Sequence, residues 1–300
     1  MPGQPPAICD YEGSSYRTDF WEGKGREYED AVERIALRAL LPPAGQRYVE
    51  FGAGFGRLIN EAGRYDQVVL VDYSRTLLAE AQARLGRSER YLYVAADVYN
   101  LPFVTNAFDV AIMCRVIHHL ADVPAALRQI RASLTPGATF ILEFANKRNL
   151  KAIARYLLGR QDWNPFAPEP VEFVKLNFDF HPAYIQQALQ AAGFVPGPRR
   201  NVSMLRLGLF KTVLPLGAML ALERLIQPTG SLLPISPSIF VRNGVSGSRG
   251  QVVARESLFK CPACGSADLE QDGDVLVCRT NAERWAIRDG IYDFKEPLSA

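Results

Sequence analysis

Val49-Glu50-Phe51-Gly52-Ala53-Gly54-Phe55-Gly56-Arg57 is the stretch whose reading decides the fold. An apolar run, Tyr48 to Phe51, leads into glycines at three alternate positions, and a helix-like pattern follows from Arg57 through Tyr65. The order is strand, tight loop, helix start. Glycine lets the backbone take positive φ and lets a ligand approach with no Cβ in the way. A helix start adds free N–H groups that suit an anion. The loop therefore predicts a nucleotide-like ligand. A dinucleotide fingerprint would need glycine at 57, where Arg57 stands instead.

Downstream, buried-type strands alternate with helical patterns. Gln67–Asp72 and Tyr91–Asp97 each end in a carboxylate; Phe108–Cys114 and Thr139–Phe144 supply the fourth and fifth strands. Ser74 is placed to cap a helix carrying Leu77, Leu78, Ala81 and Leu85 and closed by Gly86, and Asp122 to cap one carrying Leu127, Ile130 and Leu134. Alternation of this kind predicts a doubly wound parallel sheet, whose ligands sit at the carboxyl ends of the strands. An acid ending the second strand can accept hydrogen bonds from both hydroxyls of a ribose, and Tyr73 beside it can lie against an adenine or simply pack.

Glu50-x-Gly52-x-Gly54-x-Gly56, Asp72, Asp97-Val98, and Asn100-Leu101-Pro102-Phe103 followed by Phe108–Cys114 occur in this order. On these motifs residues 47–146 resemble the cofactor half of class I S-adenosylmethionine-dependent methyltransferases, in the branch that includes ubiquinone/menaquinone C-methyltransferases. The resemblance implies an α/β, Rossmann-like, seven-stranded sheet and S-adenosylmethionine as cofactor. It assigns Gly52, Gly54 and Gly56 to the methionine portion, with Glu50 ordering that loop. Asp72 goes to the ribose, and Asp97 with the Val98 backbone N–H to the adenine. Cys114 and Arg115, ending the fourth strand, face cofactor or acceptor. His118 or His119 is the candidate base for an acceptor that must lose a proton, or else packs at the strand end. His181 reads as a helix-start residue.

Outside this half, residues 1–15 are rich in Pro, Gly and Ser and are expected to fray. Tyr16, Phe20, Trp21, Arg26 and Tyr28 precede a helix from Glu27 to Leu41; they either pack it on the sheet or form a lid over the cofactor. His181-Pro182 opens a late helix, Phe194–Ser203 reads as strand six, and Pro237–Arg242 as strand seven. Between them, residues 204–235 are strongly apolar but broken by Arg206, Lys211, Pro215, Glu223 and Arg224. They predict a helical insertion over the substrate mouth that enlarges the core, caps a lipophilic acceptor, or contacts a membrane surface.

The domain reading is 1–245 for the methyltransferase unit, 246–255 for a linker, and 256–300 for a second module. Cys261-Pro-Ala-Cys264-Gly265 is half of a zinc knuckle. Cys278 begins the second half, but its partner position holds Asn281. With Trp285 to Ile291, this region resembles a small, β-rich, zinc-ribbon-like bacterial domain family related to the tRNA methyltransferase activator subunit. That resemblance implies a docking or activating role, such as covering a sheet edge. With a degenerate ligand set, bound zinc is not expected.

The chain has 300 residues, 48% of them apolar, and a formal net charge of +2. That charge does not favour a dedicated nucleic-acid binder. No run of 18 apolar residues marks a membrane span, and a cytoplasmic location, peripheral at a membrane or not, is expected. The expected partner is a small, lipophilic acceptor. Two alternatives stand beside it: an RNA methyltransferase with its activator fused in cis, in which Arg199, Arg200, Arg206 and Lys211 track phosphate, and a cofactor-binding protein without turnover. The N/D-P-P-Y/F motif of amino-nitrogen methyltransferases is missing, as is a Pro-Cys nucleophile, since Cys114 follows Met113. The acceptor atom and oligomeric state are not legible.

Overall fold

Five consecutive strands carry the cleft: β1 (Gly45–Phe51), β2 (Tyr65–Asp72), β3 (Tyr91–Ala95), β4 (Phe108–Met113) and β5 (Leu134–Ala145). In the computed structural model, which describes residues 6–299, they lie parallel in the order β3-β2-β1-β4-β5. All six residues of β4 are buried, as are the last five of β1. Strands covered on both faces need this continuous apolar character. After the short α1 (Tyr16–Phe20), which buries no side chain, the helices that cover them are α2 (Glu27–Leu40), α3 (Arg75–Leu85) and α4 (Val123–Ser133). Ser74 Oγ accepts the Leu77 N–H at 3.2 Å, and Asp122 Oδ1 that of Ala125 at 2.9 Å, so both expected caps are in place.

The chain continues through α5 (Leu150–Leu157), a hairpin of β6 (Val171–Val174) and β7 (Asn177–Asp179), α6 (Pro182–Ala191) and β8 (Phe194–Val202). His181 caps α6 by accepting the Ala183 N–H at 3.1 Å. The insertion forms α7 (Gly208–Val213), α8 (Leu216–Ile226) and a short 3-10 turn before β9 (Ser238–Val245), which runs antiparallel between β5 and β8. Glu223, on the inner face of α8, accepts the Tyr28 hydroxyl and the Leu205 N–H, tying the insertion to α2. Tyr28 therefore serves packing.

Two expectations need correction and one needs extending. The helix expected from Arg57 to Tyr65 is only a 3-10 turn, Ile59–Ala62. Glycine at 63 and the start of β2 at Tyr65 leave room for a single turn, so no long helix aims its N-terminus at the loop. Residues 45–245 supply the seven strands expected of the main sheet, in the order β3-β2-β1-β4-β5-β9-β8, but the C-terminal strands do not stand apart: among the described residues they extend the same sheet to eleven. Beyond β9 the chain adds β10 (Leu269–Asp272), β11 (Val275–Cys278), β12 (Arg284–Arg288) and β13 (Ile291–Asp293), and β13 pairs in parallel with β3. The main-chain groups that β3 would expose at its edge are thereby satisfied. Phe259 lies between Phe103 at 5.8 Å and Phe294 at 4.9 Å, so this region shares its apolar core with the main sheet.

The second correction concerns the N-terminus. Residues 1–5 of the expected frayed segment lie outside the described residues, as does Ala300. From Cys9 to Ser15 the chain is tied down by Glu12, whose carboxylate accepts the N–H groups of Arg75 (2.7 Å) and Thr76 (3.1 Å) at the start of α3. It also takes the Thr76 hydroxyl. These are orphan donors of a helix first turn, where an acid is favoured.

Candidate active site

Register builds the site. Phe51 is level with Val71 of β2 and Met113 of β4, and Asp72 with Ala95 of β3. The residues following each strand thus meet at one height: Gly52, Asp72, Cys114 and, two past Ala95, Asp97. Chain order reverses between β2 and β4 on either side of β1, which opens a crevice at the carboxyl end of β1. There a cavity of about 120 Å³ is lined by Gly52, Gly54, Asp72, Tyr73, Asp97, Val98, Cys114, Arg115 and His119. Ile8, Cys9, Tyr11 and Tyr16 form its outer wall.

Gly52 takes φ +73°, and a Cβ there would stand 2.0 Å from Val116 Cγ2. Only glycine fits. Its N–H donates to Val71 O at 2.7 Å, which turns the chain sharply off β1. Asp72 fixes the far side of the loop: Oδ2 accepts the Gly54 N–H at 2.7 Å and Oδ1 that of Ser74 at 2.8 Å. Burial pushes the Asp72 carboxyl up to about 6, against the pull of those two N–H groups. Asp97 accepts the Tyr99 N–H at 2.8 Å and is likewise raised by burial. Both retain lone pairs toward the cavity.

Glu50 sits one step further in, beside a small adjoining space lined by Gly52, Gly54 and Arg57. It is 3% exposed, and its Oε2 has no hydrogen-bond partner. Burial, partly offset by Arg57, pushes this carboxyl up to about 8. A buried acid lacking a partner marks a place where a cationic group would be welcome.

Besides Glu50, two assigned residues do not line the cavity. Gly56 faces away, where a Cβ would press on Leu70 Cδ2 and Ala81 Cβ at 3.2 and 3.3 Å; it permits close packing of α3. His118 points into a separate polar cavity with Arg115 and Glu143; burial pushes it down to about 3. Arg115 touches the cleft, but its guanidinium is held by Glu33 at 2.7 Å from Nε and lies 5.1 Å from the Trp21 ring. Trp21 also stacks on Arg57 at 3.8 Å, so the expected lid aromatic packs on an ion network.

His119 does reach the cleft. Its Nδ1 lies 2.8 Å from Leu176 O, and a carbonyl only accepts, so Nδ1 carries the proton. Nε2 is then an acceptor, and Tyr11 Oη stands 3.3 Å from it. Burial keeps the ring below its ordinary value and neutral at pH 7. Sequence reasoning missed Tyr11 and Cys9, because the contact that holds them spans 63 residues, from Glu12 to Arg75.

In the C-terminal strands Cys261, Cys264 and Cys278 come together, their sulfurs within 4.8 Å of one another. Asn281 Oδ1 lies 3.8 Å from Cys261 Sγ. It offers a neutral amide oxygen where a structural zinc site would hold a fourth thiolate or imidazole. The donor set is one ligand short.

A glycine cradle, two carboxylates at neighbouring strand ends and a buried unpartnered acid form an α/β crevice of the kind that suits a nucleoside-like ligand. Residues 49–142 match the methyltransferase domain family. A demethylmenaquinone methyltransferase from Clavibacter sepedonicus is 28% identical over 234 residues, 72% of this chain and 92% of that protein. A 2-phytyl-1,4-naphtoquinone methyltransferase from Nostoc punctiforme is 32% identical over 167 residues, covering 52% and 70%. Among solved structures, an S-adenosylmethionine-dependent methyltransferase from Mesorhizobium loti superposes with a TM-score of 0.52 at 23% identity, covering 72% of this chain and 99% of that one. A complex of a methyltransferase with the Trm112 methyltransferase activator from Haloferax volcanii gives the same score at 14% identity, covering 74% and 92%. These two share the fold. The chain belongs to the class I S-adenosylmethionine-dependent methyltransferases. It is an enzyme, and its cofactor is S-adenosylmethionine.

Proposed function

We propose that this methyltransferase acts on a small lipophilic acceptor of the quinone type. The observation that carries the reading is the pairing of a cofactor cleft with an apolar inner wall, Phe51, Val71, Met113, Val116 and Leu120, and of relatives named for demethylmenaquinone and phytylnaphthoquinone methylation. In this reading Asp72 accepts the ribose hydroxyls, and Asp97 with the Val98 N–H holds the adenine beside Tyr73. Gly52 and Gly54 bend around the methionine portion, and Glu50 takes its ammonium with the unpartnered Oε2. The bound cofactor supplies an electrophilic methyl on a sulfonium. The protein's contribution is alignment and exclusion of water. Tyr11 and Tyr16 close the outer wall, and His119 Nε2 receives the acceptor's proton as Tyr11 turns aside.

We assign residues 256–300 as a docking module fused in cis, with β13 as its fixed contact on β3. The two other readings gain nothing specific: the chain is an enzyme, and no feature of the cleft selects RNA. Incubation with methyl-labelled cofactor and total cell extract, followed by separation into lipid, RNA and polar pools, is expected to place the label in the lipid pool. Label confined to RNA would overturn the acceptor class.

A further inference from the structure

Fifteen large apolar side chains are exposed among the described residues, and ten of them fall in two short segments, 150–158 and 207–233. Leu157 and Leu158 are 72% and 67% exposed, Leu225 and Leu232 76% and 90%. The segments are adjacent: the Leu150 N–H donates to Ile235 O at 2.9 Å, and Asn146 Nδ2 to Pro234 O at 3.2 Å. They also flank the cleft end of the sheet, because β5 ends at Ala145, β8 ends at Val202 and β9 begins at Ser238.

Charge follows the same division. Residues 148–160 and 199–235 carry nine Lys and Arg and one acid, Glu223, in a chain whose net charge is only +2. Glu223 is buried against Tyr28 and does not offset the cations at the surface. Lys211 is paired with Glu29, but Lys151, Arg155, Arg160 and Arg224 lie exposed with the leucines. Asp162, Glu169 and Glu172 in the intervening segment disfavour anionic lipid there and confine the contact to these two stretches.

We propose that this face docks on the surface of a bilayer containing anionic lipid, with the leucines in the headgroup–acyl boundary and the cations on the phosphates. The combination of exposed leucine with Lys and Arg is what an interfacial surface needs. Other occupants fit less well. A two-fold contact with a second copy would set the basic cluster against itself. A single-stranded RNA would be met by aromatic faces on which bases stack, whereas this surface offers leucine. The inference deepens the acceptor reading by placing the cleft mouth at the phase in which a lipophilic acceptor dissolves.

The test is flotation of the full chain with vesicles of phosphatidylcholine alone and of phosphatidylcholine with phosphatidylglycerol. Binding is expected on the mixed vesicles and about tenfold or more weaker on phosphatidylcholine alone. The double variant Leu225→Asp/Leu232→Asp is expected to lose about tenfold or more of that binding, with melting temperature and cofactor affinity unchanged. Arg155→Glu/Arg224→Glu should weaken binding at low salt. Wild-type protein that stays with the vesicle-free fraction overturns the proposal, as does a leucine variant that floats like the wild type. So does light scattering in which the leucine variant converts a dimer to a monomer, or a basic face that retains bulk tRNA and ignores vesicles. Vesicle binding requires no acceptor, so its failure leaves the methyl-transfer reading standing, and the reverse also holds.

Discussion

Glu33→Ala is expected to lower the unfolding free energy by about 3–5 kcal/mol, the range for removing one partner of a buried ion pair. Glu33 is fully buried on α2 and bridges two cations. Its Oε2 takes Arg57 at 2.6 Å, and its Oε1 takes Arg115 Nε at 2.7 Å. Arg57 leaves the glycine loop and Arg115 leaves β4, so one carboxylate ties α2 to both walls of the cleft. Without it, the half-buried Arg115 guanidinium loses its carboxylate partner, and Arg57 beside it keeps Asp30 alone as a carboxylate partner among the described residues. Burial alone would raise the Glu33 carboxyl, but the charges of Arg115 and Arg57 outweigh it and hold the group below the ordinary carboxylate range. Its stabilisation is therefore fully present above pH about 4.5 and is lost as pH falls through the lower, folded-state value. Thermal melts between neutral and acid pH check both parts. An unchanged melting temperature in the alanine variant at pH 7 would show that the network contributes no net stability.

Asp72→Ala should weaken cofactor binding by about 1–3 kcal/mol, roughly five- to 150-fold, the scale of lost hydrogen bonds to a charged group. The substitution also strips the Gly54 and Ser74 N–H groups of their acceptor, so part of the loss comes through the loop. Asp97→Ala separates the two effects, because Asp97 makes a main-chain bond only to Tyr99 and leaves the glycine loop intact. Both variants should lose affinity in calorimetry, with the melting temperature moving mainly for Asp72. Since burial holds the Asp72 carboxyl at about 6, wild-type affinity should also fall as pH drops through 6 and the ribose acceptor is protonated. Affinity unchanged in both variants would remove these two acids from the site.

The half of the chain that holds the cleft was legible because its signals are local. A carboxylate at the end of a buried apolar run, such as Asp72, can be recognised within ten residues, and parallel register then aligns it with Gly52 and Asp97 without further information. The misses are long-range. Glu12 becomes a cap only when α3 is beside it, so a segment rich in Gly and Ser reads as loose although it walls the cavity. That the C-terminal region covers a sheet edge was expected, but which edge was not legible: β13 finds its partner in β3 about 200 residues earlier, a pairing that periodicity does not encode. Glu33 did leave a trace: an acid between Val32 and Ala36, on the inward side of an amphipathic helix, requires a buried cation. Gly56 was assigned to the ligand through the family motif, while its neighbours Leu70 and Ala81 give it a packing contact.

The central claim is that strand-end acids grip an adenosyl cofactor at the carboxyl end of β1. A crystal structure with S-adenosylhomocysteine tests it most directly. The account predicts ribose hydroxyls within about 2.5–3.0 Å of the Asp72 oxygens, the adenine amine on Asp97, and the amino group against Glu50 Oε2. Density for the nucleoside anywhere else, with Asp72 and Asp97 untouched, would contradict it.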